Sequence, residues 1–494
     1  MGSRFRGNDD LVAQEPSTKA QRDLLTGPIA PALIAFALPT LGSNVLQSLN
    51  GSINAVWIGR FLGEDAIAAT SNAHMIMFLM FSAVFGFGMA ATILVGQSWG
   101  RRDVVAARRA VGSAIGLVLA ASIVVGVLGW IYSPEILSAL ATPGRAMPLA
   151  LTYLRVIFLG LPASMLLVLM SMALRGTGDA MTPLWFTGLS VLLDAGLNPV
   201  FILGLGPAPR LGVAGSAVAT LIANGAALAA MVAWIAWRDL PIRLKANELH
   251  YILPERALVR AIVGKGVPIG AQMLIISGAA LAMVRLVNTE GVATTAAYGI
   301  TQQIWAYVQM PALAIGAAVS AMAAQNIGAG RWDRVAGVTR AGLIINLLMT
   351  GVLVVLVVWF DRQLLRLFQL GPEALPIASR IGLISTWSFV LFGATMVLFG
   401  VVRANGAVLG PLLILFVSMF PVRLGLVYAW QPSIGADALW WSFPAGSVAN
   451  LVMAALFYRY GGWRKGRMFV PEPPEPEQEA QAVVEPAGTL KPAG

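Results

Sequence analysis

Apolar residues dominate this chain in windows of about twenty, the length that carries a helix across the hydrocarbon of a bilayer. Twelve windows follow one another, near 29–59, 66–97, 110–132, 149–173, 182–204, 211–237, 266–288, 295–322, 335–360, 375–401, 409–430 and 437–459. Each predicts a helix, because a backbone facing lipid must satisfy its own N–H and C=O groups. Polar stretches flank the set. Residues 1–27 are expected to form a flexible arm, 241–265 a polar linker, and 463–494 a disordered tail. The run PEPPEPEQEAQAVVEPAG from Pro471 is too rich in Pro and Glu to bury a core.

The windows repeat. GQSWGRRD begins at Gly96 and AQNIGAGRWD at Ala324, which places Gln97 and Gln325 at an offset of 228 residues. Arg175, Gly178 and Pro183 in LRGTGDAMTP recur as Arg403, Gly406 and Pro411 at the same offset of 228. Near the start of each half, Pro39 matches Pro268 at an offset of 229. Six windows per half is an even number, so both halves enter the membrane from the same side. The expected architecture is an all-α polytopic membrane protein of twelve transmembrane helices. They form two six-helix lobes, 28–240 and 266–462, related by a pseudo-two-fold axis along the membrane normal, with a cleft between them.

Composition agrees with this reading and removes other classes. Of 494 residues, 57% are hydrophobic and 11% charged, against about 25% charged in a soluble domain. No cysteine is present, so disulfides, thiol nucleophiles and thiolate metal sites are excluded. His74 and His250 are the only histidines, too few for a histidine-built metal site, and no metal or other cofactor is expected. A net charge of +10 would suit nucleic acid, but the basic residues sit in short loops between apolar windows. Arg101, Arg102, Arg108, Arg109, Arg175, Arg238, Arg243 and Lys245 crowd one side, while Arg60, Arg145, Arg210, Arg362 and Arg366 are sparser on the other. That asymmetry predicts an inner-membrane protein with both termini and the linker cytoplasmic. Nucleic acid is not an expected partner. The N-terminal residues show no pattern of a removable signal peptide.

One stretch carries candidate chemistry. SVLLDAGLNPVFILGLG, from Ser190 to Gly206, places Asp194 deep inside an apolar window. A carboxylate at the bilayer centre costs about 2.5–3.5 kcal/mol on insertion scales, so it must face protein or water and marks a functional candidate. Asn198 lies four residues on, on the same helix face. Pro199 has no N–H and leaves the carbonyl near Ala195 without its usual donor. Polar side chains beside a loosened helix are how transporters hold an ion or substrate.

These fragments, with ALPTLGSNVLQSLNGSINAVWIGRFLG in the first window and GVAGSAVAT opening the sixth, resemble the multidrug and toxic compound extrusion (MATE) family across residues 28–462. The resemblance implies export of bulky, often cationic or zwitterionic organic compounds, driven by inward proton or sodium flow. The pattern departs at five positions. Asn54 stands where the family usually has an aspartate, and Asp194 precedes Asn198 where the family has the reverse order. Ile276 and Phe392 replace acidic residues found in one branch of the family. The acidic charge is thus expected in the first lobe alone, on Asp194, with Asn54, Asn198, Thr220 and Gln47 as partners for the coupling ion and substrate. Asn44, His74, Gln272, Gln302, Gln303 and Arg285 form a second set of candidates. The coupling ion is expected to be a proton, with sodium as the alternative, and the protein to be a monomer. A flippase of the same superfamily for a lipid-linked saccharide or peptidoglycan precursor is the alternative activity. An intramembrane enzyme using Mg²⁺ would need clustered carboxylates such as DxxxD in the cytoplasmic loops, and none is present.

Overall fold

The computed structural model describes residues 24–140, 142, 144–206, 208–368 and 371–466. The first half contains α1 (Ile29–Leu62), α2 (Glu64–Gly100), α3 (Val104–Ile131), a short α4 (Ser133–Ala139), α5 (Met147–Gly176), α6 (Met181–Leu203) and α7 (Val213–Trp237). The linker carries a 3-10 turn at Ala246–Ile252. The second half contains α8 (Arg256–Asn288), α9 (Val292–Val308), α10 (Met310–Gly328), α11 (Trp332–Trp359), a short α12 (Asp361–Leu367), α13 (Ala374–Ser385) and α14 (Ser388–Ala404). It closes with α15 (Leu409–Val417), a π-helical segment Ser418–Leu424, α16 (Gly425–Ile434) and α17 (Asp437–Tyr460). Among the described residues, eleven spans are long and apolar enough to cross a membrane, or twelve when α13 and α14, bent by 43°, count as one. The expected all-α, twelve-span architecture is therefore observed.

The spans are less regular than the apolar windows suggest. The eighth breaks at Gln309, because Pro311 cannot donate to the preceding turn and crowds it. The eleventh passes through the π-helical segment, with Pro421 inside it. By contrast, α6 runs unbroken through Pro199.

The repeated motifs have local causes. Gly178 takes φ 96° and Gly406 φ 79°, left-handed turns that end α5 and α14 at equivalent places. Asp179 then caps α6 by accepting the N–H groups of Met181 (3.0 Å) and Thr182 (2.9 Å). The second half has Ala407 there and no such cap. The glutamines of the other motif cross between lobes. Gln97 Nε2 donates to the Ala404 carbonyl at 2.7 Å, and Gln325 Nε2 donates to the Gly176 carbonyl at 2.9 Å. Donors and acceptors are each 228 residues apart, so the two bonds are images of one another. Backbones touch beside them. A Cβ on Gly100 would lie 2.0 Å from the Gln325 carbonyl oxygen, and one on Gly328 would lie 2.1 Å from that of Gln97. The basic end of the cleft is thus sealed by a reciprocal latch between α2 and α10.

Residues 24–27, grouped with the arm in the sequence reading, are held in place. Leu24 is buried and its carbonyl accepts from Asn326 Nδ2, while Arg331 Nη1 donates to the Leu25 carbonyl. Trp463, grouped with the tail, is also buried and stacks on Tyr458. The linker docks on α3. Arg109 forms a two-pronged pair with Glu255 (2.8 and 2.7 Å), and Arg108 pairs with Glu248 at 3.0 Å. Burial alone would raise the Glu248 carboxyl. The Lys245 N–H and the Arg108 guanidinium outweigh it and hold the group below the usual carboxylate range.

Two predictions follow from these contacts. The chain has no cysteine, so Ser98→Cys gives a single labelling site, buried beside the latch. We expect Gly100→Leu to speed maleimide labelling at that site at least about tenfold, because the new side chain cannot coexist with the Gln325 carbonyl. Equal labelling rates would show that the latch does not close this end. A depressed carboxyl stabilises the docked linker above its unfolded pKa and loses that contribution as pH falls through its folded value. Hydrogen exchange across 241–255, corrected for intrinsic rate, should stay slow at neutral pH and rise only below about pH 4. Protection that does not change across that range would contradict the assignment.

Candidate functional site

Asp194 sits on α6 and is 1% exposed. Three neutral donors reach its carboxylate. Asn54 Nδ2 from α1 donates to Oδ2 at 2.9 Å. Thr220 Oγ1 from α7 donates to Oδ1 at 3.0 Å, and Asn198 Nδ2 approaches the same oxygen at 3.2 Å. Asn198 Nδ2 also faces the Asp194 carbonyl at 2.8 Å and Asn54 Oδ1 at 2.9 Å. Three acceptors around one amide nitrogen fix which way that amide points. No cation pairs with Asp194 among the described residues. Its charge is therefore solvated by three helices and neutralised by none of them.

This arrangement leaves two oxygens over. Asn198 Oδ1 and Asn50 Oδ1 are buried and accept no hydrogen bond among the described residues. Asn50 lies one turn before Asn54 on α1 and brings a further amide to the same carboxyl. A buried acceptor without a donor costs about 1–3 kcal/mol. Two beside a carboxylate make an oxygen-rich pocket of the kind a hard cation or a proton-donating group satisfies.

A cavity of about 510 Å³ opens next to this cluster inside the first lobe. Asn44, Gln47 and Asn50 from α1, Thr220 and Asn224 from α7, and Phe78 and Phe81 from α2 are among its walls. Asp194, Asn54 and Asn198 are not, so the carboxylate lies behind the wall, with Asn50 and Thr220 between it and the space. Ser190 Oγ donates to Asn224 Oδ1 (2.7 Å) and Asn224 Nδ2 to Ser164 Oγ (2.9 Å), extending the polar lining towards α5.

The structure thus gathers Asp194, Asn54, Asn198 and Thr220 into one cluster, and puts Gln47 and Asn44 on the adjoining cavity. The second set of candidates disperses. Gln272 and Gln302 both line a cavity in the second lobe, where Gln272 is buried and donates to the Val408 carbonyl at 3.4 Å. Gln303 and Arg285 are exposed and line neither of the two cavities. The long Arg285 side chain runs outward, as expected near a helix end. The side chain of His74 lies outside the described residues. Sequence reasoning missed Asn50, Ser190 and Asn224. The first two carry a readable signal, since 50 and 54 share a face, as do 190, 194 and 198. Asn224 carries none.

Two repeated helical lobes around polar cavities define a polytopic membrane transporter. A family model described as MatE matches residues 39–200 and again 268–429. The chain is 34% identical over 432 residues to "Probable multidrug resistance protein YoeA" of Bacillus subtilis, covering 87% of this chain and 93% of that protein. It is 29% identical over 453 residues to "Probable multidrug resistance protein YpnP" of the same organism, covering 90% and 98%. A solved structure described as "Outward-facing conformation of a multidrug resistance MATE family transporter of the MOP superfamily" superposes with TM-score 0.82 at 20% identity, covering 91% and 98%. The chain belongs to the multidrug and toxic compound extrusion family.

The cluster generates a prediction of its own. Asn54→Ala removes a donor from Asp194 and an acceptor from Asn198, and should cost about 1–3 kcal/mol of stability. In an Asp194→Asn background the cost should shrink by about 1 kcal/mol, because the charge that Asn54 serves is gone. Thermal unfolding of the four proteins measures this coupling, and strictly additive costs would contradict it.

Proposed function

We propose that this chain exports lipophilic organic cations and zwitterions from the cytoplasm in exchange for protons, with Asp194 as the coupling group. The observation that carries the reading is a carboxylate sealed behind a mixed polar and aromatic cavity, solvated but not neutralised. A charge in low dielectric lacks the compensation of water, so whatever neutralises it stabilises the state that holds it. A proton on Asp194 does so directly. A cation in the cavity does so through the Asn50–Thr220 layer, and the two are then alternatives. Facing outward, the cleft takes up a proton and releases the cation. Facing the cytoplasm, it loses the proton and regains affinity for the cation. Both ligands bias the same two-state cleft, which is all that exchange requires. With the basic end taken as the cytoplasmic one, the latch closes that end, as an outward-facing state requires.

Sodium is a second reading with an observation of its own. The unpartnered Asn50 Oδ1 and Asn198 Oδ1 beside the carboxylate offer oxygen ligands that a proton does not use.

Transport in reconstituted vesicles, with pH and sodium gradients imposed separately, tests both. Wild type should drive ethidium movement with the pH gradient, and Asp194→Asn should lose at least about 90% of that rate while its binding of a neutral dye persists. Full pH-driven transport by Asp194→Asn would remove the coupling role. A wild type that answers to sodium alone would assign the same cluster to the other ion.

A further inference from the structure

The second lobe holds a cavity that none of the functional reading uses. It is about 320 Å³, and its walls include Met273, Ile276, Gln302, Phe389, Phe392 and Arg423. Arg423 lies inside the π-helical segment, 14 residues into its span, so about 20 Å from the basic end. It is 8% exposed. Its guanidinium carbon lies 3.4 Å from the Phe443 ring centroid. Nη1 reaches only the Met419 sulfur, at 3.8 Å, and Nε has no acceptor. No carboxylate pairs with it among the described residues.

This arginine is the image of Asp194. The first helices of the two halves match at an offset of 229, and 194 and 423 differ by 229. That is one more than the 228 seen at Pro183 and Pro411 upstream in the same span. The wider π turn accommodates the extra residue. The partners correspond too. Gly212 (φ 55°) and Gly435 (φ 58°) precede the last helix of each half at an offset of 223, and the same offset carries Thr220 to Phe443. Asn44 and Gln47 on the first cavity map at 229 to Met273 and Ile276 on the second, and Asn50 and Asn54 map to Ala279 and Met283. So one lobe surrounds a carboxylate with amides, and the other surrounds a guanidinium with rings and thioethers. Phe78 lines both cavities, which places them side by side in the cleft.

We infer that the second-lobe cavity binds the carboxylate of an aromatic substrate, with Arg423 as its counter-charge and the Phe389–Phe392–Phe443 wall against its ring. A guanidinium presents a planar fork of donors that a carboxylate fills two at a time, and an apolar wall around it strengthens the pairing. This deepens the zwitterion part of the proposed export function, since one molecule then offers its cation to the first lobe and its carboxylate to the second.

The probe is 2-naphthoate, an aryl carboxylate with no cationic group. Its binding is measured by equilibrium dialysis to the purified full chain in phosphatidylcholine nanodiscs, with empty nanodiscs subtracted. Wild type and Asp194→Asn should bind it alike, Arg423→Lys several-fold more weakly, and Arg423→Met at least about tenfold more weakly. Ethidium binding should not change in Arg423→Met, so this test is independent of the coupling role of Asp194. Because Arg423 is buried without a carboxylate partner among the described residues, Arg423→Met should melt no lower than wild type. Equal naphthoate binding by Arg423→Met, or a lowered melting temperature showing a structural role, would overturn the inference. So would loss of naphthoate binding when phosphatidylglycerol replaces phosphatidylcholine, which would give the site to a lipid phosphate instead.

Discussion

A single carboxylate that must stay in a membrane interior organises the first lobe. Water cannot solvate Asp194, so α1, α6 and α7 converge to do it, each contributing at least one neutral donor within 3.2 Å. Neutral donors spread the charge without cancelling it. The group is therefore stable enough to exist and still responsive to a proton or cation, which an internal arginine partner would have prevented. The same requirement explains the orphaned Asn50 and Asn198 oxygens: amides turned to donate to a carboxylate must leave their own acceptors pointing elsewhere.

The two halves keep a common frame and differ in what they place inside it. The frame is fixed where backbones meet, at Gly100 and Gly328 against the opposite glutamine carbonyls and at Gly86 against Gly266 of α8. No side chain fits at these points, and each repeats or crosses the lobe boundary. Away from them the chain is free to diverge. An extra residue in the π-helical segment rotates the second half's inward position and lets an arginine replace the acid. Opposite fixed charges then flank one cleft, a polarity suited to molecules that carry both signs.

Much of this was legible in the sequence. Windows of twenty apolar residues place the spans, and the 228-residue offset places the axis, because packing about a symmetry axis demands the same residue twice. Asp194 and Asn198 could be paired because they depart from apolar surroundings four residues apart on one helix face, while Asn54 joined them through the family resemblance and Thr220 as a further first-lobe partner. The position of Asp194 behind the cavity wall was not legible, since depth along a helix says nothing about which layer a side chain occupies. Arg423 carries the same kind of signal as Asp194, a charged residue well inside the apolar window 409–430, yet the candidates drawn from the sequence do not include it. Gln303 and Arg285 show the converse, polar residues inside windows that are exposed and line neither cavity.

The central claim is that a cation in the first-lobe cavity and a proton on Asp194 exclude one another. Proton release on ligand binding tests it most directly, without transport. Ethidium added to the purified protein in weakly buffered solution should release up to one proton per molecule bound in wild type, read with a pH indicator, and none in Asp194→Asn. Ethidium that binds wild type with no proton release at any pH between about 5 and 8 would contradict the account.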